Sequence, residues 1–181
     1  MKEILIAELD VRSFIEEYRN VPYFLELCKE CGNYNNSWLC PPFDFDADAR
    51  LTQWLNALIV LCRFDFPVGQ NRVNCAMSLI RDTRIELEKR LLELESKYCG
   101  LAFGFSGECL QCHKCARLVG KPCIHPDKAR PAIEAYGFNV AKTLKNLFDI
   151  DMEWAKDGIL PSRLSIVGAL FHNKKKGEIM F

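Results

Sequence analysis

The sequence has no excess of charge of either sign: Lys and Arg number 24, Asp and Glu number 24, and the formal net charge is zero. A chain without a net positive field has no whole-molecule attraction for DNA, RNA or an acidic membrane surface. Nucleic acid and membrane are therefore not expected as partners. Long hydrophobic runs are also missing. The longest internal one, over 57–62, falls far short of the roughly 20 apolar residues that a bilayer-spanning helix needs. Near the start only residues 4–7 are apolar before Glu8 and Asp10 interrupt them, too few for the core of a secretory signal. The expected location is the cytoplasm. The sequence also has no G-x-x-x-x-G-K-[ST] phosphate loop, no G-x-G-x-x-G turn after a strand, no H-E-x-x-H and no G-x-S-x-G elbow. These absences leave out the nucleotide, zinc-protease and serine-hydrolase sites that such motifs build.

Against these absences stand ten cysteines in 181 residues. That length suits one well-buried core, so 1–181 is read as a single domain. Alternation predicts a strand over 3–9, and Ser13 followed by Glu16 reads as a capping box for a short helix. Pro22 restarts the chain into a second helix ending near Cys28. Asp46 or Asp48 caps a helix through Trp54, and 58–66 is a buried strand rich in Ile, Val and Phe. Val73, Met77, Ile80, Leu87, Leu91, Leu94 and Tyr98 recur at three- or four-residue steps, predicting a long helix over 72–98. The charged residues between them, such as Arg81, Glu86, Glu88 and Lys89, form a solvated face. A short strand over 101–105, helices over 128–136 and 140–148, and a last strand over 165–171 complete the chain. The expected fold is α+β or mixed α/β, a single sheet of about four strands packed with helices, plus cysteine-rich loops at 28–42 and 106–126.

In a reducing cytosol clustered thiols are metal ligands or redox groups more often than disulfides. The second loop reads Cys109-x2-Cys112-x2-Cys115-x7-Cys123-x-His125-Pro126. Three cysteines at two-residue intervals let one loop aim three thiolates at three corners of a [4Fe–4S] cube. Zinc sites more often use two separated pairs, so zinc is the alternative. The seven-residue gap departs from the bacterial ferredoxin run, and the fourth thiolate comes either from Cys123 or from the first loop. That loop reads Cys28-x2-Cys31-x8-Cys40-Pro41-Pro42, three ligands lacking a fourth, for which His125, Cys62 and Cys75 are candidates. Cys62, Cys75 and Cys99 read as core or boundary residues, and His113 as exposed. Lys114, Arg117, Lys121, Lys128 and Arg130 either offset thiolate charge or belong to a solvated loop.

Cys28-x2-Cys31, Ser37-Trp38-Leu39-Cys40-Pro41-Pro42, Cys109-x2-Cys112-x2-Cys115 and Pro122-Cys123-x-His125-Pro126, with Ala129-Arg130-Pro131 and Glu134-Ala135-Tyr136-Gly137 downstream, carry a resemblance. The chain resembles an uncharacterised, cysteine-rich family of predicted metal-binding proteins common in anaerobic bacteria and methanogenic archaea. The resemblance implies a metal site on those cysteines and a place in anaerobic redox metabolism, with no established reaction. Two functions follow as expectations. One is an electron-transfer or redox-accessory protein whose iron–sulfur cluster serves a redox partner protein; the other is an interaction module held together by structural zinc.

Overall fold

The computed structural model describes residues 2–66, 73–154, 156, 157, 159 and 161–181, and for 73–75 the backbone alone. Strands β1 (Lys2–Asp10), β2 (Asn56–Asp65), β3 (Leu101–Phe103) and β4 (Arg163–His172) form one sheet in the order β1-β2-β4-β3, antiparallel throughout. The helices are α1 (Val11–Tyr18), α2 (Val21–Lys29), α3 (Ala47–Leu51), α4 (Val73–Tyr98) and α5 (Val140–Phe148). The expected α+β sheet with helices is what forms.

The central strands β2 and β4 are buried on both faces, which is why 57–62 carries no polar residue. Ala57, Ile59 and Leu61 of β2 with Val167, Ala169 and Phe171 of β4 face α1, α5 and a 3-10 turn at Ile133–Tyr136. Leu58, Val60, Cys62 and Phe64 face the opposite way, onto Leu87, Leu91 and Leu94 of α4. On the first face Phe14 stacks on Phe138 at 4.5 Å between ring centroids, and Phe171 packs edge-on to both rings. Each such fully buried ring contributes roughly 1.5–3 kcal/mol. Among the described residues no helix is long and apolar enough to cross a membrane.

Local chemistry corrects four expected boundaries. Asp10, not Ser13, caps α1: its carboxylate accepts from the Ser13 N–H at 3.0 Å, placing Ser13 inside the first turn. Asp46 caps α3 as expected, but that helix ends at Leu51. The helix expected over 128–136 is absent apart from the 3-10 turn. Pro131 within it has no N–H to continue a helix, and its carbonyl accepts from Gly104. That same bond ends β3 at Phe103, two residues early. The start of the long helix expected at Arg72 lies outside the described residues.

Candidate metal centre

The second cysteine loop leaves the sheet at an edge strand. Gly104 donates its N–H to the Pro131 carbonyl at 3.0 Å and pairs with Ala132, so residues 105–131 form a loop closed at its neck. A Cβ on Gly104 would lie 2.7 Å from the Arg130 carbonyl oxygen, so closure requires glycine.

Three arginines brace this loop. Near its beginning, Arg84 of α4 donates to the Phe105 and Glu108 carbonyls at 3.2 and 3.0 Å and pairs with Glu88. Near its end, Arg130 forks onto Glu95 of α4, with Nε at 2.9 Å and Nη2 at 2.5 Å, and donates to the Pro126 and Ala129 carbonyls. Glu95 in turn accepts from the Ala102 N–H at 2.7 Å, tying loop, helix and strand together. Glu88 is thus paired with the buried Arg84 and not part of the solvated face expected for it; burial pushes the Glu88 carboxyl upward.

The third arginine joins the two loops. Arg117 donates to the Ser37, Cys40 and Pro42 carbonyls at 2.9, 2.8 and 2.6 Å and to Asn35 Oδ1 at 3.0 Å. Trp38 Nε1 answers by donating to the Lys121 carbonyl at 2.9 Å. Arg117 and Arg130 therefore act first as braces for backbone carbonyls, with charge compensation secondary; neither is a freely solvated cation.

In the first loop each cysteine begins or ends a turn: Cys31 N–H donates to the Cys28 carbonyl, Tyr34 N–H to the Cys31 carbonyl, and Cys40 N–H to the Ser37 carbonyl, all at 3.0 Å. The Asn35 N–H closes the loop on Pro41 at 2.8 Å. Burial pushes the Cys28 thiol up, and Cys31 and Glu134 add to the effect. Burial likewise pushes Cys40 up to about 11, with Cys31 and Cys28 adding and Ser37 and Arg117 opposing. In the second loop burial raises Cys109; the Gln111 N–H opposes it, and Cys112, Cys115 and Cys123 reinforce it.

The expected ligands thus stand as two groups, Cys28, Cys31 and Cys40 in one and Cys109, Cys112, Cys115 and Cys123 in the other, each group interacting within its own loop. All seven are free thiols. Among the described residues no three His, Cys, Asp or Glu side chains already stand close enough to form a coordination shell. Closing either group on a metal requires side-chain rearrangement as well as release of thiol protons.

The remaining candidates lie elsewhere. Cys62 is fully buried among the α4-facing residues of β2, on the other side of the sheet from the Phe43 that follows the first loop, and burial pushes its thiol to about 11. It is a core residue, as expected, and no fourth ligand. Cys99 is exposed where α4 ends, and His113 is exposed. Cys75 falls in the first turn of α4, but its side chain lies outside the described residues. His125 is a half-buried loop residue whose carbonyl accepts from Lys128 and Ala129.

Sequence reasoning missed Glu134. It lies on the 3-10 turn that Gly137 ends in a left-handed conformation (φ 87°), against the start of α2. The Asn20 N–H donates to the Gly137 carbonyl at 2.9 Å, fixing α2 and its Cys28 beside that turn. Burial pushes the Glu134 carboxyl up to about 7, although its own N–H and the Ser106 hydroxyl favour the charged form. Its Oε2 is shielded from solvent and has no hydrogen-bond partner. The available signal was a lone acid in the otherwise apolar stretch 131–137.

A family model described as "Predicted metal-binding protein (DUF2284)" matches residues 15–171. No curated protein matches the chain, and no solved structure does.

Proposed function

We propose, for a chain that belongs to the DUF2284 family of predicted metal-binding proteins, that Cys109, Cys112, Cys115 and Cys123 hold a [4Fe–4S] cluster and that the protein exchanges single electrons with a partner protein. The supporting observation is the grouping of these four thiols on a loop closed at its neck and braced by Arg84, Arg117 and Arg130. The donor set suits the group, since four thiolates are what such a cluster takes. Once bound, the cluster would supply a one-electron couple.

The chain's own part is to fix the loop and keep its thiols near the surface. All four are half-buried, so a partner can approach closely. Leu118, Val119 and Ile124 lie in the same loop, 55%, 71% and 64% exposed, and offer the apolar contact that a docking protein uses. The exposed Lys114 and Lys121 add positive charge near the thiolates.

Anaerobic purification tests the reading. A brown protein absorbing near ~400 nm, with a paramagnetic signal on reduction, is expected. A colourless protein carrying stoichiometric zinc would replace it with the structural-zinc interaction module.

A further inference from the structure

Cys28, Cys31, Cys40 and Glu134 line one cavity of about 190 Å³. The three thiols interact with one another, and Cys28 also feels Glu134. A shielded carboxylate oxygen without a hydrogen-bond donor is costly, by about 1–3 kcal/mol or more for a charged group. A bound ion is one of the things that satisfies such an atom. Glu134 lines the same cavity as the three thiols, α2 and the 3-10 turn hold the two sides of that cavity together, and side-chain rearrangement must still bring the four groups onto one ion.

We propose that Glu134 is the fourth ligand of a second metal site, completing Cys28, Cys31 and Cys40 as a three-thiolate, one-carboxylate shell for a single zinc-class divalent ion. A cube cluster is held by four thiolates, whereas zinc accepts cysteine and carboxylate ligands in one tetrahedral shell. The Cys28-x2-Cys31 knuckle suits that ion as well. Arg117, already donating to the Cys40 carbonyl, supplies positive charge beside a shell whose ligands are all anionic. This site rests on the reading of the first-loop thiols as ligands and is independent of the cluster assigned to the second loop.

The test is zinc-edge X-ray absorption on anaerobically purified, zinc-supplemented full-length protein, with metal content and zinc affinity measured alongside. The wild type is expected to hold one zinc with three sulfurs at ~2.3 Å and one oxygen at ~2.0–2.2 Å. Glu134→Cys is expected to convert the shell to four sulfurs. Glu134→Ala is expected to weaken zinc binding at least about tenfold, while iron and sulfide in the second loop stay unchanged. Cys112→Ser is expected to do the reverse, losing iron and keeping zinc. Glu134→Gln, which preserves shape, serves in place of the Ala variant if that variant fails to fold. Four sulfurs in the wild type would overturn the assignment, as would three sulfurs and one oxygen persisting in Glu134→Cys. So would unchanged affinity in Glu134→Ala, or in Glu134→Gln where that stands in, or wild-type protein that binds no zinc. In that last case iron and sulfide retained at Cys109–Cys123 would leave the cluster reading standing.

Discussion

The guanidinium of Arg117 lies over the indole of Trp38, 4.9 Å from the ring centroid, while the Trp38 N–H reaches back to the Lys121 carbonyl. Each side chain belongs to a different cysteine loop and is fastened to the backbone of the other. The two loops are therefore one mechanical unit, although 77 residues separate Arg117 from the Cys40 carbonyl it holds.

Arg117→Ala removes four donor contacts and the stacked cation together. A loss of about 2–4 kcal/mol is expected, because hydrogen bonds from a charged donor contribute roughly 1.5–3 kcal/mol each and do not add fully. Arg117→Lys should recover little, since an ammonium cannot span the same planar set of acceptors. Urea denaturation of the metal-free proteins measures both. A change under about 0.5 kcal/mol, typical of a surface position, would mean that the loops are independent.

Glu95 and Glu86 provide a contrast in burial. Glu95→Ala leaves Arg130 without its carboxylate where the two side chains are 16% and 18% exposed, and a loss of about 3–5 kcal/mol is expected. Glu86→Ala breaks the pair with Lys2, whose partners are 65% and 33% exposed, and should cost no more than about 1 kcal/mol. Comparable losses from the two variants would contradict the role given to Arg130.

Gly104→Ala places a methyl 2.7 Å from the Arg130 carbonyl oxygen at the neck of the second loop. Backbone must move to relieve it, so a loss of about 1–3 kcal/mol is expected. Amide hydrogen exchange in the variant should be faster at position 104 in particular, whose N–H holds the neck. Unchanged protection there would mean that the neck does not need glycine.

His172 gives the fold a pH dependence away from the cysteines. It is fully buried and its pKa is lowered below 6.5 by burial; the carboxylate of Glu8 at 3.1 Å, the Lys174 N–H at Nδ1 and the charge of Glu178 act against that shift. In the unfolded chain the imidazole takes up a proton that the folded chain refuses. Stability should therefore be full above pH 6.5 and fall as pH drops below it, with a slope from this residue of at most about 1.4 kcal/mol per pH unit. His172→Gln should flatten that slope in urea titrations from pH 7.5 to 5. An identical slope in the variant would assign it to other groups.

Much of the fold was legible because its signals are local. The period of α4, the apolar run of β2 and the stop at Gly137 each depend on residues close in sequence. Both cysteine loops were legible for the same reason, their spacing being written in the chain. What escaped depends on distant partners. Nothing near Arg117 announces that its acceptors lie at residues 35–42, and nothing near Arg130 points to Glu95. The stretch 128–136 reads as helix until Gly104 claims the Pro131 carbonyl. Glu134 was visible as a lone acid, but its relation to Cys28 exists only once α2 is paired with the turn that carries it.

The most direct test of the cluster is a count of iron and acid-labile sulfide in protein purified without oxygen. About four of each per chain are expected, as a [4Fe–4S] cube requires, with both lost together in Cys112→Ser. Protein that carries zinc on Cys109, Cys112, Cys115 and Cys123, with no sulfide under those conditions, would contradict it.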